Sequence, residues 1–297
     1  MDTQQFKYFL QLCVDRNYAT ASKNLYITQQ ALRKSMKRLE LETHSTLFYK
    51  RGDSLELTKA GKVVKSHARK VINELESMEK SLSYISSDNN PVITIASSYG
   101  IYPRLANNLI IPFERKFPAV SLKIIELPDA RCEDAILNGD ADLGFCVGPN
   151  DSRYFDVYEI EVHDVCAMIN KNNPLSHKKS ITLEDLEGQH VAIVNDNFKL
   201  HKNFVNICEK SNIYPDIALN GGDVISVQNF SRFDDNIAVT VDFLAEDMGF
   251  DESVRIPMDV PDLNWTINML VRKKSELSVA CDEFVEFTKR TYREDSE

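Results

Sequence analysis

Apolar positions in the first 60 residues recur every three or four places, in short bursts separated by polar breaks. Phe6, Phe9, Leu10 and Cys13 or Val14 make one helical stripe over Met1–Asp15. Ala21 and Leu25 continue it on a compact second helix. Asn17 opens that helix as an N-cap, its side-chain oxygen accepting from free amides of the first turn. After the turn Tyr26-Ile27, Thr28 is a second N-cap, and Leu32, Met36 and Leu39 repeat at helical spacing through Gln29–Glu40. Two short apolar runs, Leu47-Phe48 and Leu55–Leu57, flank Gly52-Asp53, as the arms of a hairpin flank its tip. From Thr58 to Ile85 the period changes. Val64, Ala68, Val71, Leu75, Met78, Leu82 and Ile85 alternate in steps of four and three. That 3.5-residue repeat predicts one long helix whose narrow seam suits a partner helix, and hence a dimer. The competing reading is a single helix lying on its own globule. Ser86–Pro91 breaks the helix and serves as a linker.

Beyond Val92 the pattern alternates strand and helix. Strands are predicted at 92–96, 120–126, 141–146, 165–170, 189–194, 216–219, 236–240 and 266–271. Helices are predicted at about 103–116, 131–137, 199–211 and 280–292, with a short capped one at 182–186. Such alternation implies a parallel sheet with helices on both faces. The expected organisation is three parts. Residues 1–58 form a winged helix-turn-helix, 59–90 a linker helix with a hinge, and 91–297 a pair of Rossmann-like α/β lobes. Lobe I is expected at 92–164 with the tail from about 266 to 297, and lobe II at 165–265.

Charge changes the picture. The whole chain carries −10, which argues against nucleic acid, yet residues 1–70 hold fourteen Lys/Arg against six Asp/Glu. A basic head at +8 therefore sits on a body at −18, the distribution of a DNA-binding module joined to something else. On the second of the two short helices, Gln29, Gln30, Arg33, Lys34 and Lys37 lie opposite the apolar stripe. Gln can pair with adenine, Arg with guanine and Lys with phosphate, so this face suits the major groove. Lys50 and Arg51 make the hairpin a basic wing. The plainer reading of that face is an ordinary solvated helix.

At this point the chain resembles the LysR-type transcriptional regulators. Leu25-Tyr26-Ile27-Thr28-Gln29, Leu39-Glu40, Leu47-Phe48-Tyr49-Lys50 and Leu57-Thr58-Lys59-Ala60-Gly61 stand in that family's order and spacing. There are departures: Gln30 where the family usually has Pro, Arg33 where it has Ser, Ser22 for an Ala, His44 for a helix-ending Gly, and Asp53 for a basic wing residue. The first two imply an unusual operator. The resemblance extends, more weakly, to an effector domain similar to periplasmic binding proteins, through Asn138-Gly139-Asp140-Ala141-Asp142-Leu143-Gly144 and Asn173-Pro174-Leu175-Ser176. A Gly-rich segment usual in that domain is replaced by Phe233-Asp234-Asp235-Asn236.

What the resemblance implies is a ligand-responsive regulator. Its DNA contacts fall on Asn17, Thr28, Gln29, Gln30, Arg33, Lys34, Lys37, Lys50 and Arg51. Its partners are promoter DNA carrying an inverted repeat, a small-molecule effector and its own copies as a dimer or homotetramer, with RNA polymerase a further candidate. The effector is expected between the lobes, where strand ends face helix N-termini, at Ser97, Ser98, Tyr99, Asp129, Asn195, Asp196, Asn197 and Phe198. Helix capping is the plainer reading of each of the Ser, Asn and Asp residues; at Ser97 and Ser98 cap and ligand contact weigh equally, and Asp129 reads more as a cap alone. Asp129 and Asp196 disfavour a plain carboxylate and point to an amine or a polyol.

Six cysteines stand at 13, 132, 146, 166, 208 and 281, with no CxxC and no zinc spacing. They fit reduced, buried thiols in a cytoplasmic protein; a redox-sensing pair is the alternative within the same family. No metal site or cofactor is expected. No nucleophile elbow, phosphate loop or dinucleotide fingerprint occurs, which argues against an enzyme. No signal peptide or membrane-spanning run is expected either. A solute-binding or catalytic α/β protein with an incidental helical cap is the reading from another class.

Overall fold

The computed structural model describes residues 1–297 apart from Asp53, 87–89, 248–249, 274–275 and 294–297, and apart from the side chains of 76–77, 79–86, 247 and 293. The wing-tip Asp53, part of the expected linker, and the seam side chains of Leu82 and Ile85 therefore lie outside the described residues. The chain forms two compact units, Met1–Asn90 and Pro91–Leu137 with Ala141–Glu297. Among the described residues no helix is long and apolar enough to cross a membrane.

The first unit runs α1 (Thr3–Asp15), α2 (Tyr18–Asn24), α3 (Gln29–Glu42), β1 (Phe48–Arg51), β2 (Ser54–Leu57) and α4 (Lys59–Ser86). Caps set the helix starts. Asp2 and Gln5 form a reciprocal capping box on α1, the Asn17 oxygen accepts from the Ala19 and Thr20 amides, and Thr28 accepts from Ala31 at 3.1 Å. Leu32, Met36 and Leu39 are 0–2% exposed and meet Phe9, Leu12 and Phe48 in one core. Leu12 replaces Val14 in the predicted stripe of α1: Val14 is 67% exposed. His44 takes the left-handed backbone (φ 50°) that the missing glycine would have supplied.

The motif residues have structural work. The Glu40 carboxylate accepts the Leu47 amide at 2.7 Å. Thr58 caps α4 by accepting from Gly61 at 2.9 Å and donates to the Thr46 carbonyl at 2.7 Å. Gly61 runs so close to β1 that a Cβ there would lie 2.2 Å from the Leu47 carbonyl oxygen. On α4 the predicted seam divides. Ala68 is buried in the first unit's own core with Ile72, which the pattern did not pick out, and Val64 packs against them. Val71 and Met78 are 41% and 51% exposed, and Leu75 is half-buried. The first turns of the stripe thus belong to the head itself.

The second unit contains β3 (Val92–Ser98), α5 (Tyr102–Leu105), α6 (Ile111–Lys116), β4 (Ser121–Leu127), α7 (Asp129–Asn138), β5 (Leu143–Val147) and β6 (Phe155–Asn170). It continues with β7 (His190–Val194), α8 (Lys199–Ser211), β8 (Asp216–Gly221), α9 (Val224–Phe230), β9 (Ile237–Val241), α10 (Asp242–Asp247), β10 (Ser253–Pro257), β11 (Asn264–Arg272) and α11 (Val279–Arg293). The single helix expected at 103–116 is interrupted by a π-turn, Ala106–Ile110, closed by the Ile111 amide on the Ala106 carbonyl. Pro112, which has no amide to donate, follows at once. The short helix expected at 182–186 is a single 3-10 turn, Glu184–Leu186, and the Asn173–Ser176 loop contains another, Pro174–His177.

The strand order is β4-β3-β5-β11-β6-β9-β7-β8, with β10 on β6. The expected all-parallel sheet is corrected to a mixed one. β4-β3-β5 and β9-β7-β8 are parallel groups, but β11 is antiparallel to β5 and β6, and β6 is antiparallel to β9 and β10. β6 belongs to both lobes. Phe155–Asp164 pair with β11 in lobe I, and Val165–Ile169 pair with β9 in lobe II. Sequence reading found only its second half, because the first half mixes Asp, Glu and His with its apolar residues.

Candidate nucleic-acid interface and inter-lobe cleft

On the first unit, Gln29, Gln30, Arg33, Lys34 and Lys37 are all exposed, on the side of α3 opposite its buried leucines and methionine. Lys50 and Arg51 are exposed on the hairpin. These cations differ in freedom. The Arg33 guanidinium lies 4.3 Å above the Tyr18 ring, which fixes its direction. Burial is the main cause that raises the Tyr18 phenol, followed by Glu40, while Arg33 opposes them. Arg51 pairs with Glu56 at 3.2 Å, and Glu56 also accepts from the Tyr49 hydroxyl. Lys34, Lys37 and Lys50 form no ion pair among the described residues. The oxygens of Asn17 and Thr28 are engaged in capping, so only their donor hydrogens remain for a phosphate.

In the second unit the lobes meet over a small apolar cavity. Tyr99, Asp129 and Phe198 line it with Val194, Leu200, Val227, Val241 and Trp265. The space open to the centre of a water molecule is about 20 Å³, room for about one water. The structure places the other sequence-derived residues elsewhere. Asp196 and Asn197 are exposed, Asn195 turns its oxygen onto the Asn197 amide, and none of the three is among the cavity's lining residues. Ser97 and Ser98 are buried beside it, Ser97 hydrogen-bonding the Ser98 carbonyl at 3.3 Å.

Asp129 is 2% exposed and does not cap its own helix as the sequence suggested: its Oδ2 accepts the Lys199 backbone amide from lobe II at 2.7 Å. Burial raises its carboxyl above the ordinary aspartate value, against the lowering effects of the Lys199 amide and the Ser98 hydroxyl. Asp129 Oδ1 and Ser98 Oγ are buried without a well-formed hydrogen bond, although the hydroxyl stands near enough to favour the carboxylate. Gln228 Oε1, fully buried, is in the same condition, while its Nε2 donates to Thr240 Oγ1 at 3.0 Å.

Sequence reasoning missed Lys199, Gln228, Thr240 and Trp265. The Lys199 ammonium crosses the cleft to Glu133 at 2.5 Å and to the carbonyls of Val147 and Pro149 at 2.7 and 2.6 Å. A lysine opening a helix directly after the expected site residue Phe198 was the available signal. A second cluster was also missed. His163 sits between Glu161 (2.8 Å) and Asp242 (3.0 Å), and Arg104 reaches Glu161 at 2.7 Å. Burial alone would raise the Glu161 carboxyl, but His163 and Arg104 outweigh it and hold it low. The cysteines are buried apart from Cys13, which is half-buried, and burial pushes the thiols of Cys13, Cys166 and Cys281 up to about 12. Cys132 and Cys146 lie 2.9 Å apart with both sulfurs fully buried, and burial raises Cys146 well above a free thiol. Protonated, enclosed thiols are the unreactive form.

Two family signatures cover most of the chain. Residues 3–62 match the bacterial regulatory helix-turn-helix of the lysR family, and residues 86–293 match the LysR substrate binding domain. The chain belongs to the LysR family of transcriptional regulators. As a LysR-family protein it combines a DNA-binding helix-turn-helix with an effector-binding domain. It is 22% identical over 289 residues to the uncharacterized HTH-type transcriptional regulator YybE of Bacillus subtilis, covering 97% of this chain and 98% of that relative. It is 20% identical to the transcriptional dual regulator GltC of the same organism, covering 97% and 96%. The crystal structure of CbnR, a LysR family transcriptional regulator, superposes with a TM-score of 0.69 at 17% identity, over 98% of this chain and 99% of that one. Full-length CbnR complexed with its target DNA gives 0.56 at 18%, over 98% and 100%. At these identities the structural likeness speaks for the fold.

Proposed function

We propose that this LysR-family regulator reads its operator through α3 and the wing, as a dimer joined along α4, and that an effector enters the cleft between the lobes. The observation that carries the reading is the two-sidedness of α3: Leu32, Met36 and Leu39 are buried while Gln29, Gln30, Arg33, Lys34 and Lys37 are all exposed. Exposed amides and a ring-braced arginine at the N-terminal end face base edges, and the lysines face phosphates. The α4 residues left uncovered, Val71 and Met78 with the half-buried Leu75, form the contact with a second copy. Two heads held in this way read an inverted repeat, and pairs of dimers give the tetramer. The protein acts without catalytic chemistry of its own, in the cytoplasm where the chromosome is.

Effector binding shifts the regulator between assemblies by its differential affinity for them. The test is a gel shift of the full chain on its own promoter region over a range of salt. Wild type binds and weakens steeply as salt rises. Arg33→Ala flattens the preference between base variants of the bound site, whereas Lys37→Ala weakens all variants alike. Equal losses on every sequence for both changes would overturn this division of roles.

A further inference from the structure

The cavity between the lobes is built around a buried carboxylate oxygen, Asp129 Oδ1, whose nearest side-chain donor, the Ser98 hydroxyl, makes no well-formed hydrogen bond with it. Asp129 is the one charged residue among those lining it, and its Oδ1 is enclosed without a hydrogen bond of good geometry. Lys199, the nearest cation, does not answer that charge with its side chain. Its ammonium is turned onto Glu133 and the carbonyls of Val147 and Pro149, and only its backbone amide reaches Asp129. Asp129 and Glu133 against Lys199 leave this part of the cleft one negative charge in excess. Gln228, which bonds the lining residue Thr240 but does not itself line the cavity, holds a second buried acceptor, Oε1, without a donor. The remaining walls are mostly hydrocarbon and aromatic, among them Val194, Phe198, Val227, Val241 and Trp265, with Tyr99 and Thr240 the hydroxyl-bearing residues.

Given that the effector occupies this cleft, as proposed above, we infer that it is a small, largely apolar primary amine. Its ammonium donates to Asp129 Oδ1, and its hydrocarbon part lies against Phe198, Val227 and Trp265. An ammonium supplies several donors and the missing positive charge at once. A carboxylate of the same shape brings a second anion next to Asp129 and offers no donor. A neutral alcohol satisfies one acceptor and leaves the charge unanswered. The cavity as it stands has room for about one water, so entry parts the lobes. The contacts that yield are those of Lys199 with Asp129 and Glu133, which couples occupancy to lobe opening.

The test uses the full-length protein with three probes of one branched skeleton: isopentylamine, isopentanol and 3-methylbutanoate. Binding is read by calorimetry and by thermal unfolding. The amine binds and raises the unfolding temperature, the alcohol binds more weakly, and the carboxylate does not bind. Asp129→Asn keeps the shape and an oxygen for the Lys199 amide. It weakens the amine by roughly tenfold or more, the loss of a charge-assisted hydrogen bond, and leaves the alcohol unchanged. Val224→Trp, at the half-buried edge of the cavity, abolishes binding of amine and alcohol alike.

A carboxylate that binds as well as the amine, or an amine indifferent to Asp129→Asn, would overturn the amine assignment; the cleft itself would stand if Val224→Trp still blocked binding. Binding that survives Val224→Trp in a folded variant would sink the cleft together with the amine. Failure of all three probes to bind wild type would likewise overturn the inference.

Discussion

Replacing Lys37 with Ala should flatten the dependence of binding on salt as well as weaken binding at low salt. Lys34, Lys37 and Lys50 are exposed and unpaired among the described residues, whereas Arg51 is held by Glu56 and Arg33 by Tyr18. Each lysine that neutralises a phosphate releases counterions, and the logarithm of the binding constant falls with the logarithm of salt by about 0.9 per contact. Three such lysines on each of two heads give a slope of about −5.4, so a fourfold rise in salt lowers affinity by roughly 10³. Lys37→Ala removes one contact per head. The slope should flatten to about −3.6, and the same fourfold rise should cost only about 10². Fluorescence anisotropy on a labelled duplex of arbitrary sequence suffices, since phosphate contacts do not depend on the bases. Lys202→Ala, an exposed lysine on α8 of the second unit, is the control and should leave the slope at its wild-type value. An unchanged slope in Lys37→Ala, or a wild-type slope shallower than about −2, would refute the assignment of these lysines to phosphate.

Three other outcomes follow from the packing. Gly61→Ala places a methyl 2.2 Å from the Leu47 carbonyl oxygen, so α4 must move off the wing; we expect a loss of about 1–3 kcal/mol in chemical unfolding of the first unit, and an unaltered midpoint would contradict the close approach. Leu75→Asp with Met78→Asp puts charge on the uncovered side of α4; sedimentation should show monomers, with operator affinity falling in step. Asp129→Asn tests the buried carboxylate by pH. Burial raises the Asp129 carboxyl above its ordinary 3.8, so the folded state holds its proton more tightly than the unfolded chain does. Stability tied to that proton is present at low pH and lost as pH rises through the folded value. The variant should therefore be the more stable form at pH 7, and the gap should close toward 3.8; a gap that widens on acidification would be the wrong sign.

Much of the head was legible because each of its signals is local. A cap, an apolar step of three or four residues and a turn residue lie within one or two turns of the structure they dictate, as with Asn17, Thr28 and the Leu32, Met36, Leu39 stripe. The stripe on α4 was seen but not its division, because periodicity counts apolar residues without saying which body covers them; Ala68 turned inward while Val71 remained outside. In the second unit the strands with continuous apolar runs were found. The charged half of β6, the short β-branched helix α9 and β10 were not, since their partners are distant in sequence. The cleft was read least. Residue type alone made Asp129 and Asp196 equivalent. Folding buries one against Lys199 and leaves the other in water.

The shared strand β6 has a mechanical meaning. Its partner changes from β11 to β9 between Asp164 and Val165 with no break in the extended chain. The lobes are therefore not two weights on a slack string. Turning one against the other bends a continuous ribbon, and the restoring force of that ribbon acts as a spring. An effector whose entry parts the lobes, as inferred above, would load this spring, and its departure would let the ribbon return.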